Sequence, residues 1–425
     1  MGGSYHKSMP EEGVSAAASR HAPRVAVVVL GDLGRSPRML YHALALAAAQ
    51  AHVDLVGYCE TDLDAYLSNQ PAIDVHALRA PASDVPAALF IVHGIVRVLR
   101  QSAELAGVLR RIGADTILVQ TPPAIPTLLV ALAIARAHAA RLVVDWHNFG
   151  WSMLALRIGG RHPLTRLARR WEWILGRRAD AHLCVSRAMA AELKRDAGIH
   201  AVVLYDRPAE RFHPASAPAR AAIRNRLAVE LRLAESPLMV IAPTGWTADE
   251  DMGLLIDAAV RLDALIAAAS AAVPDVVIVA SGRGPLRGEW DRRVTGLALR
   301  HVHLQSRWLP APDYPSFLAA ADVGVSLHRS ASGVDLPMKI ADLLGAGVPI
   351  CALAYGPCLA EVLRDGETGL LFETAGELAA HLWTLLSSAT DDRGALQKLR
   401  RNIAAASPER WRDGWTAAAR PVLLP

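Results

Sequence analysis

Asp32, Arg35 and Arg38 lie within one short stretch, GDLGRSPRM (31–39). Gly31 and Gly34 permit a tight turn and close approach of a ligand to the backbone. Ser36 followed by Pro37 reads as a helix start, with Ser36 as N-cap. Free N–H groups at that start, with two guanidinium groups beside them, suit an anionic, phosphate-bearing ligand. A capped turn with surface arginines is the structural reading of the same residues. G-x-x-G lacks the third glycine of a dinucleotide fingerprint, which disfavours a nicotinamide dehydrogenase. A second cluster, VVDWHNFGWSM (143–153), interleaves Asp145, His147 and Asn148 with Trp146, Phe149 and Trp151. Polar groups among aromatic faces match a sugar site, and a histidine there is suited to general-base work near neutral pH.

Three stretches in the second half carry the same kind of signal. PTGWTADEDMG (243–253) offers Gly245, Trp246 and Thr247 to a ligand. Its acids, Asp249 to Asp251, read as first-turn complements of a helix dipole. ASGRGPL (280–286) flanks Arg283 with Gly282 and Gly284, a turn that suits a diphosphate. The longest stretch, HRSASGVDLPMKIADLLGAGVPICA (328–352), runs from Ser330, Ser332 and Gly333 through Asp335 and Leu336 into a helix. On that helix Lys339 and Asp342 are one turn apart and share a face. Lys339 and loop N–H groups are expected to hold a pyrophosphate, Asp342 a ribose hydroxyl and Asp335 the sugar. A weak surface ion pair between Lys339 and Asp342 is the structural alternative.

Each of these stretches follows a run of Val, Leu and Ile. Such runs occur at 24–30, 52–58, 73–78, 115–120, 141–146, 181–186 and 201–206, and again at 238–243, 275–282, 301–305, 322–328 and 348–353. They lack strict alternation and are separated by helix-length intervals, the pattern of parallel strands buried on both faces. Between them, 206–236 is rich in Pro, Ala and charge and reads as a linker. The 425 residues therefore divide into two doubly wound α/β domains. In such sheets ligands bind at the carboxyl ends of the strands, which is where every stretch above lies.

Hydrophobic residues at 52% and charged residues at 20% describe a globular chain, and a net charge of +4 is a mild excess. The four cysteines form no C-x-x-C or Cys/His metal spacing. Residues 1–23 hold no apolar region and read as a disordered leader. No run reaches the roughly 18 apolar residues of a membrane span. Segment 157–178 holds seven arginines on an amphipathic helical pattern, which suits an anionic membrane surface or a solvated face. Segment 85–100 is a second such candidate. The basic residues are not interleaved as a stacking platform, so nucleic-acid binding is not expected.

Seven ordered blocks carry a family resemblance: GDLGRSPRM, VDWHNFGWSM, HPLTRLARRWEWILGRRADAHLCVS, AVVLYDRPAERF, GWTADEDM, WLPAPDYPSFLAAADVGVSLHRSASGVDLPMKIADLLGAGVPICA and RRNIAAASPERWRDGW. Together they resemble the chitobiosyldiphosphodolichol β-mannosyltransferase family. The resemblance implies a GT-B fold, with two Rossmann-like domains facing across a cleft. It implies an acceptor-binding domain at 24–205, a nucleotide-sugar-binding domain at 237–405, and a C-terminal helix at 406–425 crossing back. It implies inverting β1,4 transfer from GDP-mannose to a GlcNAc-GlcNAc-diphosphate lipid, with no obligatory metal or other cofactor. Related enzymes carry two glutamates in the donor helix; Asp335 and Asp342 occupy that neighbourhood at a spacing one residue shorter. Eukaryotic members start with a membrane-spanning helix, where this chain has a polar leader, so a cytoplasmic protein, peripheral to a membrane, is expected. Asp32 is the first expected base and His147 the second. Arg283 and Lys339 are expected on the leaving diphosphate, and Arg35 and Arg38 on the acceptor's, with Gly31, Gly34, Ser36, Asp145 and Asn148 around it. Two other readings stand beside this one: a GT-B enzyme of surface-polysaccharide synthesis with a different donor or acceptor, and an inactive GT-B partner subunit.

Overall fold

The computed structural model describes residues 22–63, 67, 69–80, 90–269, 273–389, 391–407 and 409–425. The expected leader therefore lies outside the described residues, except at its last two positions. So does the first part of segment 85–100.

Two parallel sheets carry the fold. The first contains β1 (Arg24–Asp32), β2 (His52–Tyr58), β3 (Ile73–Leu78), β4 (Thr116–Thr121), β5 (Arg141–Trp146), β6 (Ala181–Cys184) and β7 (Val202–Val203), in the order β3-β2-β1-β4-β5-β6-β7. The second contains β8 (Leu238–Pro243), β9 (Val276–Ser281), β10 (Val302–Arg307), β11 (Val323–Ser326), β12 (Ile350–Leu353) and β13 (Gly369–Phe372), in the order β10-β9-β8-β11-β12-β13. In each sheet the chain starts in the middle, winds to one edge and returns to the other side. The reversal falls between β1 and β4 and between β8 and β11, and ligands bind at such switch points.

Burial on both faces explains why the strands read as unbroken apolar runs. Along β1, Val25, Val27 and Val29 enter one core, while Ala26, Val28 and Leu30 enter another. Each fully buried valine contributes about 1.5–3 kcal/mol. β8 divides its residues the same way, with Met239 and Ile241 on one side and Val240 and Ala242 on the other.

The helices that matter below are α1 (Pro37–Ala48), α2 (Phe90–Ile112), α3 (Thr127–Ala137), α4 (Gly150–Ile158), α5 (Pro163–Gly176), α6 (Arg187–Ala197), α7 (Ala217–Leu231), α8 (Met252–Ala267) and, further on, the helix Met338–Gly345. The stretch read as a linker thus contains a 15-residue helix, α7. Arg220 and Arg224 on α7, with Arg400, converge on the buried carboxylate of Asp322 and tie α7 to the second domain. The C-terminal segment 411–423 returns to the first domain: the Trp411 indole donates to the Tyr41 carbonyl at 3.3 Å, and Thr116 donates to the Leu423 carbonyl at 3.4 Å. One core cluster includes residues of α1, Phe212, Leu343, Trp411 and Trp415, so it runs through both domains.

Candidate active site

The carboxyl ends of β1, β5 and β6 face loops of the second domain across a closed cleft. Arg35, exposed after β1, reaches the Arg283 carbonyl at 3.5 Å. Ser186 after β6 donates to the Val334 carbonyl at 2.5 Å, and also caps α6 by accepting from Met189. Glu361 of the second domain accepts from the Arg187 and Ala188 N–H groups, at 2.7 and 2.9 Å, and from the Tyr205 hydroxyl. A second-domain carboxylate therefore satisfies the open N–H groups of a first-domain helix.

On the first bank the organising unit is a buried charge cluster. The Arg38 guanidinium pairs with both oxygens of Asp145, at 2.8 and 2.9 Å, and with Asp206 at 2.8 Å. Arg38 and Asp145 are buried. Burial alone would push the Asp145 carboxyl up, but Arg38 and His147 overcome it and hold it well below the usual carboxylate range. Arg38 is correspondingly raised despite its burial. The Trp415 indole donates to His42 Nδ1 at 3.0 Å, so Nε2 carries the proton toward Asp145 at 3.1 Å. Burial lowers His42, consistent with that neutral tautomer. His147 bonds the same carboxylate through Nε2 at 3.0 Å and is partly exposed. Its Nδ1 has no hydrogen bond among the described residues. The arrangement is an imidazole held by a carboxylate, which is in turn locked by an arginine.

Arg38 and Asp145 are therefore not acceptor contacts, as the sequence suggested; they are the foundation beneath His147. Asp32 does stand at the end of β1, partly exposed. Its oxygens already accept the Glu60 and Thr61 N–H groups at 3.2 Å and the Thr61 hydroxyl at 2.5 Å. Ser36 does not cap α1 with its side chain; its hydroxyl donates to the Asp32 carbonyl at 3.0 Å. Gly34 packs against the loop at Thr61, where a Cβ would sit 3.0 Å from that residue's backbone oxygen. Gly31 lies within β1 itself. Asn148 spends its carbonyl on the turn, accepting from Phe149 N–H at 2.7 Å and the Ser152 hydroxyl at 3.2 Å. A cavity of about 820 Å³ begins at Gly34 and runs along α1 toward Trp411 and Trp415.

On the second bank, the acids that read as dipole complements hold the cations of the donor loop. Glu250 pairs with Lys339 and also accepts from Thr244 and the Gly245 N–H. Asp249 takes His328 Nδ1 at 3.2 Å while Asp335 takes Nε2 at 2.9 Å. Burial would lower His328, but the two carboxylates outweigh it and raise the imidazole to about 9. Asp251 alone acts as expected, accepting from Leu254 at 3.2 Å as the N-cap of α8.

Asp335, expected at the sugar, is buried, and its oxygens are taken by His328, Ser330 and Ser332, so it braces the loop. Ser330 also accepts the Gly333 N–H at 2.7 Å. Gly333, at φ +77°, has open space where a Cβ would stand. Trp246 is fully buried against Trp290, and Leu336 lies in the core, so neither side chain faces a ligand. Gly282 and Gly284 are required by loop packing: a Cβ on either would stand 1.7 Å from the Thr244 oxygen or 2.1 Å from the Gly245 oxygen. Arg283 between them is exposed and stacks on Trp308, 4.1 Å from the ring centre. Lys339 and Asp342 do not pair. Asp342 faces the interdomain seam: burial raises its carboxyl to about 7, with Arg211 opposing and Asp206 adding to the shift. Thr247 and Gly245 remain partly exposed at the rim.

Among the described residues, one grouping could bring three ligand atoms to a metal: His52, Asp54 and Asp74. It lies on β2 and β3, away from the cleft-side loops, and Asp54 is already committed to Arg24 and His76. Sequence reasoning passed over His42, Asp206, Trp415, His328 and Glu361, and read Glu250 only as a complement of a helix dipole. The signal for Asp206 was its position at a strand end; the others had none.

Comparison with known proteins agrees with this architecture. A glycosyl transferase 4-like domain model matches residues 33–205, and a model of glycosyl transferases group 1 matches residues 248–388. The human chitobiosyldiphosphodolichol beta-mannosyltransferase is 34% identical, with 95% of this chain and 93% of that protein covered. The UDP-glycosyltransferase TURAN of Arabidopsis thaliana is 36% identical, covering 94% and 97%. Among solved structures, Anabaena Alr3699/HepE in complex with UDP-glucose superposes with a TM-score of 0.67 at 16% identity, over 95% of this chain and 99% of that one. That structural likeness bears on the fold, which is GT-B.

Proposed function

Since the chain belongs to the chitobiosyldiphosphodolichol β-mannosyltransferase family and is a glycosyltransferase, we propose that it moves mannose from GDP-mannose, in β1,4 linkage and with inversion, onto a GlcNAc-GlcNAc-diphosphate-polyprenol acceptor. The observation that carries this reading is the meeting of the β1 loop and the β9 loop, Arg35 against Arg283. It sets an exposed guanidinium for a phosphate on each bank, as two diphosphate-bearing substrates require.

In the proposed step His147 Nδ1 takes the proton of the acceptor hydroxyl. The oxygen attacks the anomeric carbon as the bond from that carbon to the diphosphate oxygen breaks, and GDP leaves from the opposite face. Asp145 holds the ring and stabilises the imidazolium as it forms. Asp32 has its oxygens committed to three donors, so the order of the two expected bases is reversed. Charge growing on GDP falls to Arg283, Lys339 and the N–H groups of residues 330–332, with no metal required. His328, flanked by Asp249 and Asp335, stiffens that loop from beneath. The acceptor's diphosphate falls to Arg35.

The test is transfer from radiolabelled GDP-mannose to phytanyl-diphosphate-chitobiose, run beside UDP-glucose and UDP-GlcNAc because one relative is named a UDP-glycosyltransferase. Product with GDP-mannose alone is expected. Transfer from a UDP-sugar and none from GDP-mannose would overturn the donor assignment.

A further inference from the structure

Among the described residues, no helix is long and apolar enough to cross a membrane. A different feature stands on the first domain, on the helices that follow β3, β4 and β5. α2 packs beside α3, α3 beside α5, and α5 beside α4. These helices leave large apolar side chains in solvent: Leu99 (63%), Leu129 (45%), Leu156 (62%), Leu164 (57%), Leu167 (60%) and Trp171 (37%). Single exposed leucines are ordinary, but six large apolar groups on adjoining helices mark a contact surface.

α5 shows how the face is built. Leu164, Leu167, Trp171 and Ile174 recur at helical spacing and are exposed, while Thr165, Glu172 and Trp173 are buried on the other side. The helix thus packs into the domain on one side and leaves an apolar stripe in solvent on the other. Its flanks are exposed arginines, including Arg166, Arg170 and Arg177. Residues 146–179 contain one acid, Glu172, against seven arginines. That acid is buried and accepts the Gly150 and Trp151 N–H groups at 3.0 and 3.1 Å, so it holds the start of α4 and does not offset the surface arginines. An apolar centre with a cationic border is the chemistry of an interfacial contact with anionic lipid. The face also adjoins the site, because α4 begins two residues after Asn148.

We propose that the face formed by α2 to α5 docks on a bilayer containing anionic phospholipid, with Leu156, Leu164, Leu167 and Trp171 in the acyl boundary and the arginines among the headgroups. It deepens the acceptor reading and rests on it for its purpose: docking there brings the His147 loop to the membrane surface, where the diphosphate of a polyprenol-linked acceptor lies.

The full chain is mixed with vesicles of phosphatidylcholine, with and without phosphatidylglycerol, and floated on a density gradient. Flotation with the phosphatidylglycerol vesicles, weakened by salt, is expected. Each arginine near an anionic surface is worth roughly a fivefold factor in partitioning, so R166E/R170E is expected to reduce it by at least about tenfold. L164E/L167E is expected to abolish it. All three proteins are also assayed for transfer to a water-soluble, short-alkyl diphosphate chitobiose, which needs no membrane and reports folding. Undiminished flotation of both variants, or no flotation of the parent chain while it transfers normally to the soluble acceptor, overturns the docking face. Normal flotation without transfer to either acceptor leaves the docking face standing and refutes the acceptor reading.

Discussion

Replacing His328 with glutamine should flatten the alkaline limb of the protein's stability curve. His328 is largely buried, 15% exposed, with Asp249 at 3.2 Å on Nδ1 and Asp335 at 2.9 Å on Nε2. The Tyr355 ring stands edge-on at 5.6 Å, and Lys339 opposes the charge from nearby. The imidazole is raised to about 9 in the fold, against ~6.5 for an unperturbed histidine. A raised folded value means that the folded state holds the proton more tightly than the unfolded chain. The stabilisation is complete below pH ~6.5 and disappears as the pH passes through about 9. Integrating the linkage of this one group between pH 7.5 and 9.5 gives a loss of about 2 kcal/mol in the parent chain beyond any loss in His328→Gln. For a domain of this size that corresponds to a fall of about 4–8 °C in Tm. The window avoids Asp342 and Glu172, both raised to about 7 by burial, whose effects are largely complete below it. Scanning calorimetry at half-unit steps, parent against variant, reads the difference directly. Parallel Tm curves across this window would refute the claim that a charged His328 braces the donor loop.

Four further substitutions separate the roles proposed for these residues. His147→Gln is expected to lower kcat by about 10²–10³-fold with GDP affinity unchanged in calorimetry, whereas Asp32→Asn should cost less than about tenfold because its carboxylate serves the 60–61 loop; the opposite ranking would return the base to Asp32. Arg38→Met leaves Asp145 and Asp206 buried without their cation and should destabilise the fold by about 3–5 kcal/mol, read from urea denaturation; a loss under about 1 kcal/mol would mean that Arg38 is a ligand group after all. Gly284→Ala drives a Cβ to 2.1 Å from the Gly245 oxygen, and should weaken GDP binding at least about tenfold by parting the two donor loops, since a well-packed site cannot absorb that displacement; an unchanged Kd would remove loop packing from the account of the donor site.

The strand ends were legible in the sequence, and the free groups at those ends were not, for one physical reason. A run such as RVAVVVL must be buried on both faces, and that alone places β1 in the middle of a parallel sheet and its loop at the cleft. Whether Arg38 in that loop is available to a phosphate depends on a partner 107 residues away, Asp145. No local pattern encodes that partner, because the winding of the sheet brings it there. The same holds for Lys339, whose Glu250 lies 89 residues back, and for α7, whose anchor Asp322 lies 98 residues beyond Arg224. One clue was present: Asp145 stands inside RLVVDW, a run whose neighbours must be buried, and a buried carboxylate requires a cation. Charged residues within apolar runs are therefore better read as foundations than as ligands. On that rule Asp145 supports, and Arg35, exposed and beyond the end of β1, is the cation left open to a ligand.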